Sequence, residues 1–375
     1  MWCMDERSGI GVLDASRLQT HWYGAARSLM GRRTAAEGEG RTVALLDTSV
    51  GSGNLGDQII MDAVEQHVLP LFSDAFVVRV PTHDRPGRPA RALLRASSLA
   101  IVGGTSMFGA RMWYRPNWAL GPRSTAQLPP TLFVGVGWNA QTNGPPGRGR
   151  LERAWIDPYS KWMVRRASAS SFPHSVRDAM TGRQLARLGV TNWRVTGCPT
   201  TWSLTPEHCR EIPTTPGPRA VLTFNYGHPD EQRDRAILRV VRDVYPEVVV
   251  WPQAVEDIAY ARSIDRSLVI ARPSLREFDA ILASGYDYVG LRLHGGIRAL
   301  QHGRRTTIVV VDNRAREMGR DWSLPVWEPT SDVPLRDLLE GGKMRVAIDR
   351  SAIDTWKRDV LRAWTGSDRA ELPET

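Results

Sequence analysis

The sequence predicts an α/β protein of two doubly wound halves with a ligand cleft between them, and three observations lead there. From Thr42 onward, short runs of Val, Ile and Leu alternate with longer amphipathic stretches, the rhythm of parallel strands and crossover helices. The rhythm breaks between Thr205 and Pro218, where Pro206, Pro213, Pro216 and Pro218 remove the donors and helical angles that regular structure needs. The 375 residues suffice for two domains at roughly 100–200 residues each.

Taken in order, the first half opens on a strand at 42–47, the apolar run Val43-Ala44-Leu45-Leu46. Strands follow at 75–80, 98–102, 131–136, 168–172 and 193–196, with helices at 157–166 and 178–188. In the second half the expected order is strand 220–224, helix 231–244, strand 247–251, helix 255–264 and strand 267–270. Helix 275–283, strand 286–290, helix 294–302 and strand 306–311 complete it, and 350–364 reads as one more helix. The expected domains are therefore an N-terminal extension (1–40, with a short helix around 16–29), a first α/β domain (41–205), a proline-rich hinge (206–218), a second α/β domain (219–349) and a C-terminal helix and tail (350–375). Two such sheets in tandem turn the carboxyl ends of their strands toward a shared crevice, where open α/β sheets bind ligands.

Composition excludes several classes. Lys+Arg 49 against Asp+Glu 40 gives a net charge of +9, and all but Lys161, Lys343 and Lys357 of the basic residues are arginines. Guanidinium favours planar contact with carboxylate and phosphate, although such usage also follows base composition. The charges are scattered, so no nucleic-acid patch is expected, while peripheral contact with a membrane stays open. Apolar runs fall far short of the roughly 18 residues that span a bilayer, and Asp5, Glu6 and Arg7 stand where a secretory leader would be basic and then apolar. Cys3, Cys198 and Cys209 lack metal-type spacing and fit reduced thiols, which points to a cytoplasmic protein without a metal.

Chemistry is expected at the strand ends. Gly51-Ser52-Gly53-Asn54-Leu55-Gly56-Asp57 follows the first strand and opens a helix, so its N–H groups, Asn54 and Gly56 among them, are placed to meet an anion; read as a plain turn, Asp57 would be the helix cap. Gly103-Gly104 and Gly135-Val136-Gly137 repeat the theme. In Gly290-Leu291-Arg292-Leu293-His294-Gly295-Gly296, Arg292 can grip a phosphate or carboxylate and His294 can exchange protons near a helix N-terminus; the alternative is a structural arginine and a core histidine. Arg177, in Ser175-Val176-Arg177-Asp178, offers a second guanidinium or else an ion pair with its neighbour. Trp113, Trp118 and Trp138 are candidate sugar platforms or core. Cys198, with no base beside it in sequence, is a poor nucleophile candidate.

In this order, Gly53-Asn54-Leu55-Gly56-Asp57, Ile101-Val102-Gly103-Gly104, Val134-Gly135-Val136-Gly137, Ser175-Val176-Arg177-Asp178 and Arg292-Leu293-His294-Gly295 resemble the polysaccharide pyruvyl transferase family, from about Thr42 to Asp312. The resemblance implies a GT-B-like fold of two Rossmann-like domains, with the donor site in the second. It also implies phosphoenolpyruvate as donor substrate without a further cofactor, and a sugar, glycan or lipid-linked glycan with two nearby hydroxyls as acceptor. The products would be a cyclic pyruvate ketal and phosphate. On this reading Arg177, Arg292 and Leu293 bind the donor, joined by Asn54, Gly56, Gly103, Gly104 and Gly295. His294 is the catalytic acid, and Asp57 or His294 accepts the hydroxyl proton. The chain departs from the family pattern at Thr105, at Gly197-Cys198-Pro199, and after Asp312-Asn313-Arg314, where Arg316 stands in for a lysine. The alternatives are a GT-B glycosyltransferase using a nucleotide sugar and a non-catalytic glycan-binding protein.

Overall fold

The first strand, β1 (Thr42–Asp47), is buried along nearly its whole length, as a strand covered on both faces must be. The computed structural model to which it belongs describes residues 40–113, 119–139, 155–342, 344–367 and 372–373. The expected helix around 16–29 lies outside these residues. β1 pairs in parallel with β2 (Phe76–Pro81) and β3 (Leu99–Gly103), and β3 pairs with β5 (Thr131–Val134), giving the order β2-β1-β3-β5. The short β4 (Phe108–Gly109) and β6 (Trp138–Asn139) pair beyond the ends of β3 and β5. Through the bridge Val136–Val176 the sheet continues into β7 (His174–Val176) and β8 (Trp193–Val195).

Alternation along β1 divides the core. Val43 and Leu45 face Ile60, Met61 and Val64 of helix α1 (Gly56–His67), whereas Ala44 and Leu46 face a layer holding Phe133, Trp138 and Met163. Helices α2 (Arg88–Ala96), α3 (Pro122–Ala126), α4 (Pro158–Ala167) and α5 (Ala179–Arg187) complete this domain. The chain's last helix returns to it: Trp356 and Trp364 lie in the Val43 layer and donate their indole N–H to the Pro173 carbonyl and to Asp74.

The second sheet is parallel throughout, in the order β11-β10-β9-β12-β13-β14. Its strands are β9 (Arg219–Thr223), β10 (Glu247–Val250), β11 (Val269–Ile270), β12 (Asp287–Gly290), β13 (Thr306–Val309) and β14 (Val326–Trp327). After the short α6 (Pro206–Arg210) come α7 (Glu231–Val244), α8 (Val255–Ile264), α9 (Leu275–Ala283), α10 (Leu293–Gln301), α11 (Asn313–Trp322), α12 (Leu335–Glu340) and α13 (Arg350–Thr365). Two Rossmann-like domains thus meet in a GT-B-like arrangement.

Two expectations need correction. Residues 168–172 are not a strand: Ser168 ends α4 by donating its N–H to the Val164 carbonyl, and the Ser170 hydroxyl takes the Phe172 N–H, local bonds that compete with a ladder. The strand begins after Pro173. The prolines of the expected hinge do not exclude regular structure either: the stretch opens with the short helix α6, and Cys209 and Ile212 are buried in the second domain's core. Helix α11, unassigned from sequence, caps on Asp312.

Candidate active site

In each sheet the chain changes direction between two central strands, β1 and β3 in the first domain and β9 and β12 in the second, and crevices at such switch points take ligands. The sequence motifs occupy both. After β1, the Asn54 side-chain oxygen accepts from Gly56 N–H at 3.0 Å and from the Gln253 amide at 2.9 Å. Leu55 N–H meets the Gln253 carbonyl at 2.8 Å, and the other end of that amide accepts Gly295 N–H at 3.0 Å. Gln253 therefore clasps the first-domain turn to the N-terminus of α10. A Cβ on Gly56 would stand 2.7 Å from the Gln253 amide nitrogen, so the glycine permits the clasp. Asn54, Gly56 and Gly295 spend these groups on holding the domains together.

Gly103 and Gly104 serve packing: a Cβ on either would come within 2.4 Å of Val64 or Ile60 on α1, and the Gly104 N–H is taken by the Val134 carbonyl. Asp57 is not the helix cap, a position Leu55 holds; its carboxylate accepts from the Ser52 hydroxyl at 2.5 Å. Burial raises its pKa above the usual carboxylate range, against the Ser52 hydrogen bond and the charges of His83 and Arg314.

Arg177 is wholly buried at the end of β7. Its Nε donates to Asp178 at 3.0 Å, its Nη1 donates to the Ser106 hydroxyl at 3.0 Å, and its Nη2 has no hydrogen-bond partner among the described residues. Asp178 at the same time caps α5 by accepting Thr181 N–H at 2.7 Å. The expected ion pair exists, yet it uses one nitrogen of three. The guanidinium lies over Gly137, where a Cβ would stand 2.1 Å from Nη2.

Across the cleft, Arg292 grips Asp257 through Nε and Nη2, and its Nε also reaches the Phe224 carbonyl at 3.2 Å. Leu293 is buried in the core, so only its backbone can face a ligand. The N–H groups of Leu293 and His294, in the first turn of α10, have no partner among the described residues, as helix geometry leads one to expect. The His294 ring is 5% exposed. Burial pushes its pKa down to about 3, the charges of Arg314 and Arg177 adding to that and Asp312 opposing, so the imidazole is neutral near neutral pH. Its Nε2 stands 4.0 Å from the Cys198 thiol, whose pKa burial raises. The base that Cys198 lacks in sequence is thus brought to it by the fold, beside a thiol that stays protonated.

Sequence reasoning missed Arg314, Asp312 and His228. Arg314 contacts Asp312 through Nε at 2.9 Å and Nη2 at 2.6 Å, and His228 Nε2 lies 3.9 Å from the same carboxylate. Burial disfavours the Asp312 carboxylate, but Arg314 outweighs it and holds the group well below its usual range. The signal was present, since Asp312-Asn313-Arg314 is a further strand-to-helix junction. Arg316, expected in the lysine's place, instead pairs with Glu328 on the surface. Among the aromatics, Trp138 is no sugar platform: its ring is fully buried in the first core, and its backbone carbonyl accepts the Asn313 amide at 3.3 Å across the cleft. Trp113 is exposed, and Trp118 lies outside the described residues.

The cleft thus sets the guanidinium groups of Arg177 and Arg314 and two open helix N–H groups near a neutral imidazole, while the Arg292 guanidinium is taken up by Asp257 as a structural arginine would be. Such a set can hold a polyanion and move a proton beside it.

Solved structures similar to this chain include UDP-GlcNAc 2-epimerase from Neisseria meningitidis bound to UDP-GlcNAc, at 11% identity over 72% of this chain and 82% of that one, TM-score 0.36. The wall teichoic acid polymerase TagF matches at 10% identity over 95% and 94%, TM-score 0.41, and the calicheamicin glycosyltransferase CalG4 at 16% over 86% and 94%, TM-score 0.33. Likenesses this distant say nothing of what this chain binds. No curated protein sequence matches it. A family model does: that of polysaccharide pyruvyl transferase covers residues 54–313, from Asn54 of the interdomain clasp to Asn313 beside Arg314. The chain belongs to the polysaccharide pyruvyl transferase family, transferases that act on polysaccharides.

Proposed function

We propose that the chain moves the pyruvyl group of phosphoenolpyruvate onto two hydroxyls of a sugar, forming a cyclic ketal and releasing phosphate. The observation that carries this reading is the buried Nη2 of Arg177, unpartnered among the described residues, on a guanidinium whose charge acts with that of Arg314 on His294 in the first turn of α10. A ligand with a phosphate and a carboxylate uses two such positive centres at once.

His294 acquires its role when the donor binds. Burial is what chiefly keeps the imidazole neutral; an anionic donor beside the ring opposes it, both by offsetting the charges of Arg314 and Arg177 and by giving the imidazolium an anionic hydrogen-bond partner, so the pKa rises and the ring takes up a proton. The imidazolium gives that proton to the methylene carbon of the enol ether, leaving a methyl group and a cationic carbon. A sugar hydroxyl attacks that carbon and passes its proton to Asp57 or back to His294. The carbon–oxygen bond to phosphate then breaks, the second hydroxyl closes the ring, and its proton leaves with the phosphate.

Thermal denaturation with phosphoenolpyruvate, set against a panel of nucleotide sugars, tests the donor. A ligand at about 100 times its Kd that binds only the folded chain adds roughly 2.7 kcal/mol. Stabilisation by phosphoenolpyruvate is expected; stabilisation by a nucleotide sugar alone overturns the reading.

A further inference from the structure

The exposed tryptophans among the described residues are Trp113, Trp155 and Trp162, 63%, 52% and 41% exposed, and all lie in the first domain. Two hydrogen bonds stitch their segments together: Met112 N–H to the Ser160 hydroxyl at 2.8 Å, and Asp157 N–H to the Ala110 carbonyl at 3.0 Å. They gather at the N-terminal end of α4, next to the β4–β6 pair whose Trp138 carbonyl meets Asn313 across the cleft. The face therefore adjoins the mouth of the site.

Its charge is one-sided. Over residues 119–139 and 155–192 the acidic side chains are Asp157 and Asp178, 3% and 0% exposed, whereas Arg123, Lys161, Arg165, Arg183 and Arg187 are exposed. Trp162 and Lys161 share a groove of about 500 Å³ with Arg165 and Arg166. Both arginines are braced by backbone carbonyls, Arg165 on Leu188 at 2.8 Å and Arg166 on Ala126 at 2.7 Å, which fixes their heads at the surface. A larger groove of about 890 Å³ in the second domain makes the contrast: its arginines, Arg239 and Arg266 among them, are interleaved with Asp243 and Asp265, and no tryptophan lines it.

Exposed indoles beside basic side chains, with no exposed carboxylate among the described residues of these segments, match the headgroup layer of an anionic bilayer, where indoles settle and cations meet lipid phosphate. We propose that this face docks the protein on an anionic phospholipid surface and so presents the cleft to a lipid-linked glycan acceptor. The acceptor class rests on the pyruvyl-transfer reading; the docking does not. No described helix is long and apolar enough to cross a membrane, so the contact is with the surface.

Cosedimentation of the full chain with phosphatidylglycerol–phosphatidylcholine vesicles, against pure phosphatidylcholine, tests this. Binding to the anionic vesicles is expected. It should weaken by more than about tenfold in Trp155→Ser/Trp162→Ser and in Lys161→Glu/Arg123→Glu, and hold in Arg239→Glu/Arg266→Glu. Absence of vesicle binding, equal loss in the second-domain variant, or displacement by a soluble anionic polysaccharide at comparable charge concentration overturns the proposal. Thermal stabilisation by phosphoenolpyruvate, measured on the same variants, reports folding and the donor site. Vesicle binding without that stabilisation sinks the function and leaves the docking; the reverse result sinks the docking alone.

Discussion

Gly137→Ala should disable the site without touching a charged residue. The added Cβ would lie 2.1, 2.2 and 2.6 Å from Nη2, Cζ and Nη1 of Arg177. Ordinary contact needs roughly 3.5 Å, so the guanidinium must retreat by more than about 1 Å. A surface arginine would swing aside; Arg177 is wholly buried and held by Asp178 and Ser106. Overpacking of this kind costs about 1–3 kcal/mol, and a displacement of about 1 Å in a positioning group can cost about 100-fold in rate. Gly137 is not among the glycines with positive φ, so the alanine backbone itself is unstrained. Urea denaturation and the thermal response to phosphoenolpyruvate are the assays, with Gly53→Ala as control, because its Cβ would meet only Val255 at 4.0 Å. A double-mutant cycle with Arg177→Met isolates the clash, which should appear as a cost that shrinks once the guanidinium is gone. Wild-type stability together with a wild-type donor response in Gly137→Ala would refute the placement of Arg177.

Other perturbations separate the roles. His294→Ala should abolish phosphate release from phosphoenolpyruvate while donor-induced stabilisation persists; retained turnover removes His294 from the chemistry. Arg314→Ala should weaken donor binding at least about tenfold, whereas Arg316→Ala, which breaks only the surface pair with Glu328, should leave it unchanged, as titration calorimetry would show. Stability should rise with pH between about 3 and 6.5, because the unfolded chain protonates its histidines below 6.5 while buried His294 and His67 resist until about 3 and about 4. The unfolded state thus binds more protons in that window, and His294 alone should account for up to about 5 kcal/mol of acid destabilisation. Urea melts of His294→Asn should show a shallower pH slope, and an unchanged slope would place the histidine in a more solvated setting.

Much of the fold was legible because its signals are local. Helices Glu231–Val244, Val255–Ile264 and Leu275–Ala283 end where their apolar spacing and flanking turns predict. The strand misplaced at 168–172 was lost to the end of the preceding helix at Ser168 and to Ser170, whose hydroxyl takes the Phe172 N–H, a preference that apolar content does not register. At the site, Arg177, Arg292 and His294 could be singled out because each follows a strand, but their partners could not. Asp257 lies 35 positions before Arg292, and Cys198 lies 96 before His294. The same distance hid Gln253, which reads as an unremarkable loop residue until the fold sets its amide between Asn54 and Gly295. Trp138 stayed undecided between platform and core because a tryptophan beside a glycine-rich strand end looks the same whether its ring turns to the cleft or to the core.

The central claim is the bond that forms, and labelled donor tests it most directly. Phosphoenolpyruvate carrying carbon-13 at the enol carbon, incubated with the protein and lipid-linked and free glycans extracted from the source cells, should yield a labelled carbon bonded to two sugar oxygens by NMR. Phosphate should be released in equal amount, and His294→Ala should give neither. Donor that stays intact with every glycan fraction, or label recovered only as free pyruvate, would contradict pyruvyl transfer as the activity of this cleft.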